Sequence, residues 1–218
     1  MKNEEWATAI DNRRKKKEVW AWRMLLCAAF FALHSLLFTS CSEDSEDEEE
    51  YANWQKRNDN AISQWAADTS LRKIKNFTKD QTTTGTSSDY IYVEVLEEGS
   101  GTESPLYTDT VWVAYRGRLI PSKSYPDGYV FDQSYQGDFS WTTSDVFEFS
   151  VNGLVEGFGT ALMAMKPGDR WRVHIPYMLG YGSSSTSTSV PAYSNLTFDI
   201  ALFDFWHPGE TRPFFKSR

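Results

Sequence analysis

Residues 147–182 read FEFSVNGLVEGFGTALMAMKPGDRWRVHIPYMLGYG, and the rest of the chain is organised around them. Phe147, Phe149 and Val151 alternate with polar residues, the period of a half-buried strand. Gly157 then opens a short apolar helix in which Phe158, Ala161, Leu162 and Met165 fall at i, i+3, i+4 and i+7, one face at helical spacing. Lys166-Pro167-Gly168-Asp169 stops that helix and turns the chain. Trp171, Val173 and Ile175 alternate as a second strand, closed by Pro176. A short apolar helix between two amphipathic strands predicts a curved sheet wrapped around that helix.

Further fragments stand on either side. VWVAYRGRL at 111–119 and VFDQS at 130–134 precede the stretch; VPAYSNLTF at 190–198 follows it. Together these fragments resemble the FK506-binding-protein (FKBP) family of peptidyl-prolyl cis–trans isomerases, whose motifs run V-x-Y-x-G, F-D-x-S, V-I-x-G-W/F, A-Y-G and I-P-x-x-x-x-L-x-F in that order. The resemblance covers roughly half of the chain. It implies an α+β, FKBP-like fold: a curved antiparallel β-sheet wrapped around one short helix, here with an N-terminal helical extension.

The amino-terminal part reads differently. Arg13 to Lys17 form a basic run; residues 19–38 are mostly apolar; Leu37-Phe38-Thr39-Ser40-Cys41 ends the run with small residues before a cysteine. Basic, apolar, then small-before-Cys resembles a bacterial lipoprotein signal peptide, which implies cleavage before Cys41 and acylation of Cys41. Several acyl chains would hold the protein on a membrane, where a single chain binds only marginally. The other reading is a transmembrane anchor with the basic run on its cytoplasmic side. The expected organisation is a signal peptide over 1–40, an acidic tether over 41–50, a helical extension over 51–78, a linker over 79–89, the FKBP-like domain over 90–206 and a tail over 207–218. A lipid anchor in the cell envelope, on the periplasmic or the outer face of an outer membrane, is the expected location.

Charge agrees with that division. Residues 1–23 hold seven Lys/Arg and four Asp/Glu, so what remains carries 15 basic against 26 acidic side chains. An acidic chain repels phosphate backbones, and nucleic acid is not an expected partner. The cysteines are Cys27 and Cys41 alone, one inside the signal and one at the lipidation position, so no disulfide is expected in the mature protein. Residues 42–50, SEDSEDEEE, hold seven acids in nine positions and read as a solvated tether, either a spacer or a surface-export signal. Beyond it, Tyr51, Trp54, Asn58, Ala61 and Trp65 share one helical face, with Ile62 beside them. Two tryptophans on one face need a surface to cover. Docking on the same chain's domain is expected, with pairing to a second copy as the alternative.

Conventional catalytic signatures are not found. Besides His34 in the signal, only His174 and His207 occur, and neither stands in a Cys/His cluster with metal spacing. No serine sits in a G-x-S-x-G elbow. Residues 153–159 lack the Lys-Ser/Thr of a phosphate loop. Asp132, Asp138 and Asp145 read as loop carboxylates rather than a glycosidase pair. No cofactor is called for.

Prolyl isomerisation requires none of these groups. Its barrier, ~18–20 kcal/mol, is the loss of amide resonance. A dry aromatic pocket disfavours the dipolar planar amide relative to the twisted state, and a few hydrogen bonds hold the peptide in place. The resemblance carries roles onto particular positions. Asp132, Tyr181 and Phe158 are expected to carry isomerisation, as rim carboxylate, hydroxyl donor and pocket floor. Tyr115, Phe131, Phe147, Leu154, Val155, Val190 and Phe198 are expected to bind substrate, Val155 through its backbone N–H. X-Pro segments of client proteins, and FK506-like macrolides, would be the partners. Three positions depart from the family: Phe158 replaces Trp, Gly180 stands where Ala often precedes the tyrosine, and the serine-rich stretch 183–189 replaces an apolar or His-bearing loop. Two other readings stand beside the enzyme: a non-catalytic FKBP-like peptide-binding module, and a glycan-binding surface built from Tyr125, Tyr129, Tyr135 and Trp141.

Overall fold

The computed structural model describes residues 50–184 and 189–211. The signal peptide, Cys41, the tether up to residue 49, residues 185–188 of the serine-rich loop and the tail from 212 lie outside the described residues. Among the described residues seven strands and two α-helices follow one another: α1 (Trp54–Ala67), β1 (Arg72–Lys75), β2 (Tyr90–Glu97), β3 (Thr110–Arg118), β4 (Val130–Gln133), β5 (Phe147–Ser150), α2 (Glu156–Leu162), β6 (Arg170–Ile175) and β7 (Leu196–Trp206). The strands form one antiparallel sheet in the order β1-β2-β6-β7-β3-β4, and β5 also pairs with β3. β3 therefore has two partners on one side. Its first half, Thr110 to Val113, holds β5, and its last residues, Arg116 to Arg118, hold β4. The chain between β4 and β5 leaves the sheet and returns.

The helix expected within 147–182 is the centre of the core. Every residue of α2 after Glu156 is buried, and Met165 just beyond it is fully buried. Against it stand Trp171, Val173 and Ile175 of β6, all buried, alternating with the half-buried Arg170, Arg172 and His174 as the sequence period requires. Burying Phe158, Leu162 and Met165 stabilises the fold by about 1.5–3 kcal/mol each. The approach is close: a Cβ on Gly157 would come within 2.3 Å of Ile175 Cγ2, so only glycine lets the helix sit this near β6. The turn after the helix is tied by Asp169, whose carboxylate accepts from the backbone N–H groups of Lys166 (2.8 Å) and Gly99 (2.6 Å).

The other face of the sheet has its own small cluster. Ala114, Tyr135 and Ala201 are buried there, with Phe139, Trp141 and Phe203 packed on them. This disperses the proposed glycan platform. Tyr129 packs on the main core, Tyr135 is covered by Phe139 and the Arg116 guanidinium, and Trp141 lies against Phe203 at 4.8 Å. The four rings do not form one exposed surface.

The extension differs from a purely helical segment. α1 ends at Ala67, where the Asp68 backbone N–H closes the last turn on Gln64 O. Residues 72–75 then become β1, paired with Tyr90 to Val93 as an edge strand. A four-residue RKIK segment carries too little period to be read as a strand; β2 supplies the hydrogen bonds that make it one. Its three cations suit an edge, since charge there discourages pairing with another chain. α1 docks on the same chain. Trp54, Asn58 and Ile62 are buried, and the Trp65 ring stacks on His174 of β6 at 4.8 Å. Among the described residues no helix is long and apolar enough to cross a membrane.

Candidate active site

At the N-terminal end of α2 the sheet leaves a cavity of about 210 Å³, lined by Tyr115, Asp132, Phe149, Gly153, Leu154, Val155, Phe158, Tyr181 and Phe198. Register explains how residues 83 positions apart meet. Tyr115 and Gly117 share a face of β3; Gly117 is flanked by Asp132 on β4 and Phe198 on β7. A Cβ on Gly117 would meet Phe198 Cε1 at 2.5 Å and Phe131 Cζ at 2.7 Å, so the glycine of V-x-Y-x-G makes room for these rings. Phe158 then closes the floor. It is 4% exposed and meets Phe198 and Tyr115 edge-on, at 4.9 Å and 6.2 Å between centroids. Edge-to-face contacts of this kind add about 0.5–1.5 kcal/mol each beyond burial.

Polar groups stand at the rim. The Tyr115 hydroxyl donates to Asp132 Oδ2 at 2.8 Å. Burial, then this bond to a carboxylate, pushes the Tyr115 hydroxyl well above the usual phenol range. Tyr181 is 38% exposed, and its hydroxyl too is pushed up, by burial and then by the charge on Asp132. Both phenols stay protonated at neutral pH and can act only as neutral hydrogen-bonding groups. Among the described residues nothing accepts a proton from the Tyr181 hydroxyl or from the backbone N–H of Val155, so the cup offers two unused donors.

Seven of the ten residues expected from the sequence line the cavity: Asp132, Tyr181, Phe158, Tyr115, Leu154, Val155 and Phe198. Three do not. Phe131 stands behind the wall, edge-on to Phe198 at 5.5 Å. Val190 is buried in the core. Phe147 is 47% exposed, and Phe149 takes the lining position. Phe147 and Phe149 point to the same face because strand side chains alternate; they differ in burial, Phe149 packing on the core and Phe147 standing exposed. Phe149 is one of two lining residues that sequence reasoning missed. The other is Gly153, whose absent side chain leaves open space.

A larger cavity, about 340 Å³, opens at the opposite end of α2 between Arg72, Val95, Glu98, Gly99, Ala164, Lys166, Asp169 and Trp171. Its lining holds four ionisable side chains and lacks the convergent aromatic walls of the smaller one. Size alone does not make it the better site for an apolar ring; the smaller cup has the aromatic walls and, among the described residues, the two unused donors.

A seven-stranded antiparallel sheet curved over one short helix, with an aromatic cup at the helix N-terminus, defines a half-barrel that can hold one compact apolar group under a few neutral donors. Residues 101–203 match the model of the FKBP-type peptidyl-prolyl cis–trans isomerase family, and this part of the chain belongs to that family. The chain is 37% identical over 117 residues to the macrophage infectivity potentiator of Trypanosoma cruzi, covering 54% of each protein. It is 36% identical over 110 residues to an Escherichia coli FKBP-type 22 kDa peptidyl-prolyl cis-trans isomerase, covering 50% of this chain and 47% of that one. It thus spans about half the length of the curated relatives it matches. Among solved structures, FkpA from Escherichia coli superposes with a TM-score of 0.52 at 24% identity, over 83% of this chain and 71% of that one; at this identity the likeness supports the fold alone.

Proposed function

We propose that this chain is a membrane-anchored FKBP-type prolyl isomerase acting on X-Pro segments of proteins outside the cytoplasm. The observation that carries the catalytic part is the cup itself: a Phe158 floor, aromatic walls, and unused donors on Val155 and Tyr181 facing one cavity. A proline ring on the floor places its preceding amide among these groups. The planar amide is the more dipolar form, so apolar walls raise it relative to the twisted form. The Val155 N–H would donate to one substrate carbonyl, and the Tyr181 hydroxyl would donate to a second. Asp132, held by Tyr115, keeps the rim in one geometry. The carbon–nitrogen bond only rotates; no bond breaks and no group is transferred. FK506-like macrolides, being large apolar rings with carbonyls, would compete for the same cup.

The anchor rests on the order of residues before Cys41. With acylation there, the acidic residues that follow would act as a spacer between bilayer and domain, in the cell envelope. Replacing Cys41 with Ser should release the protein from membranes or leave the precursor uncleaved; a Cys41→Ser protein processed and retained like wild type would rule out the lipid anchor.

The activity is tested by kcat/KM for cis–trans exchange of X-Pro peptides. Tyr181→Phe should lower it by up to about tenfold, the size of one lost hydrogen bond. A wild type that binds Pro-containing peptides through Tyr181 yet does not accelerate exchange would make the chain a peptide-binding module.

A further inference from the structure

The α1 helix does more than cover the domain. Asn58, in its middle, is fully buried, and its side chain spends both halves on specific partners. Its Oδ1 accepts from the backbone N–H of Asn195 at 2.7 Å, while its Nδ2 donates to Trp54 O at 2.8 Å. Asn195, also fully buried, answers by donating from Nδ2 to Asn58 O at 2.8 Å. The remaining atom of that amide, Asn195 Oδ1, accepts from the backbone N–H of Tyr177 at 2.9 Å.

Tyr177 begins the short turn that carries Tyr181. Its carbonyl accepts from the N–H groups on both sides of Tyr181: Gly180 at 3.0 Å and Gly182 at 2.8 Å. Gly182 O in turn accepts from Tyr193 N–H at 3.0 Å. The peptide of Tyr177 is therefore the frame on which the Tyr181 backbone hangs, and Asn195 holds its free N–H. A second tie runs from the Tyr177 hydroxyl to the side chains of Asp59 and Gln55, one on each side of Asn58 along α1. A third joins α1 to the neighbouring segment: Trp54 Nε1 donates to Ser194 Oγ at 2.8 Å, and Ser194 Oγ donates to Pro191 O at 2.7 Å.

We infer that Asn58 is a positioning residue for the cup: through Asn195 and the Tyr177 peptide it fixes where the Tyr181 hydroxyl meets substrate. The inference rests on the isomerase reading for its substrate, and on geometry alone for the relay. Buried amides bonded through both nitrogen and oxygen specify one arrangement, because a shift strands a polar atom out of water. Packing by Ile62 and Trp65 would dock α1 without dictating where Tyr177 sits. The paired asparagines add that information. A helix lying outside the catalytic domain thus becomes part of the site, although no atom of it lines the cavity.

The test is a double-mutant cycle on the full chain, with wild type, Asn58→Ala, Tyr181→Phe and the double variant compared by kcat/KM on one X-Pro peptide. Asn58→Ala should lower kcat/KM by about three- to tenfold in the wild-type background and less than about twofold once Tyr181 is already Phe. A structural role would cost the same factor in both backgrounds, and multiplying losses overturn the inference. Should Asn58→Ala fail to fold, Asn58→Ser takes its place in the cycle, since it removes the amide and leaves a small polar group in the buried position; the same coupling is expected and independent losses again refute it. If wild type shows no turnover, the isomerase reading falls, and the cycle is read as affinity for the peptide, where coupled losses support the relay and independent ones reject it.

Discussion

Acid should loosen the joint between α1 and the sheet through a single histidine. His174 lies in β6 between Val173 and Ile175, its ring stacked on Trp65, and its Nδ1 shares a hydrogen bond with Thr197 Oγ1 at 2.9 Å. Burial first, then the adjacent Arg172 charge, pulls its pKa down from 6.5 to about 4; Asp199 and Asp68 pull weakly the other way. The folded state therefore refuses a proton that the unfolded chain accepts. The contribution is complete above the unfolded value of about 6.5 and is lost as pH falls through the window from about 6.5 to about 4. Each pKa unit is worth about 1.4 kcal/mol, so the full loss is ~3 kcal/mol, of which ~2 kcal/mol falls between pH 7 and 5. Urea denaturation at those two pH values measures it, with His174→Gln as the reference because glutamine can still bond Thr197 but cannot titrate. The wild type should lose ~2 kcal/mol more than the variant over that interval. Equal pH dependence in the two proteins would refute the argument, since it would mean that His174 titrates alike in the folded and unfolded chains.

His207 should behave in the opposite sense. Its Nδ1 meets the fully buried Asp109 carboxylate at 2.9 Å, which raises its pKa. Its contribution is whole below the unfolded value of about 6.5 and is lost as pH rises through the higher folded value; His207→Gln should therefore be more destabilising at pH 6 than at pH 8.5 in thermal melts. In the cup, Phe149→Ala should lower kcat/KM more than Phe147→Ala, because only Phe149 lines the cavity; equal losses would show that the rim, not the wall, decides turnover. Phe158→Ala should cost more again, with about 3–5 kcal/mol of stability lost by denaturant titration as the core opens beneath it.

Much of the fold was legible because its signals are local. The helical spacing of Phe158, Ala161, Leu162 and Met165 and the alternation of Trp171, Val173 and Ile175 are set by which face each side chain takes, and an element's period is written in consecutive residues. The turn at 166–169 is likewise local: proline and glycine constrain their own backbone. The fragments around Tyr115, Asp132, Tyr181 and Phe198 were readable for a different reason, as a family's order of motifs, and the structure brings those four to one cavity. What the sequence could not rank is distance across the fold. Phe147 and Phe149 share a face, yet only Phe149 packs on the core and lines the cavity. RKIK at 72–75 has no strand period of its own and takes its form from β2. Asn58 fell on the packed face of its helix by spacing alone, but its partner Asn195 is 137 residues away. Hydrogen bonds of that span are decided by packing, because two amides become a matched pair only when the sheet has placed them, dry, within 3 Å of one another.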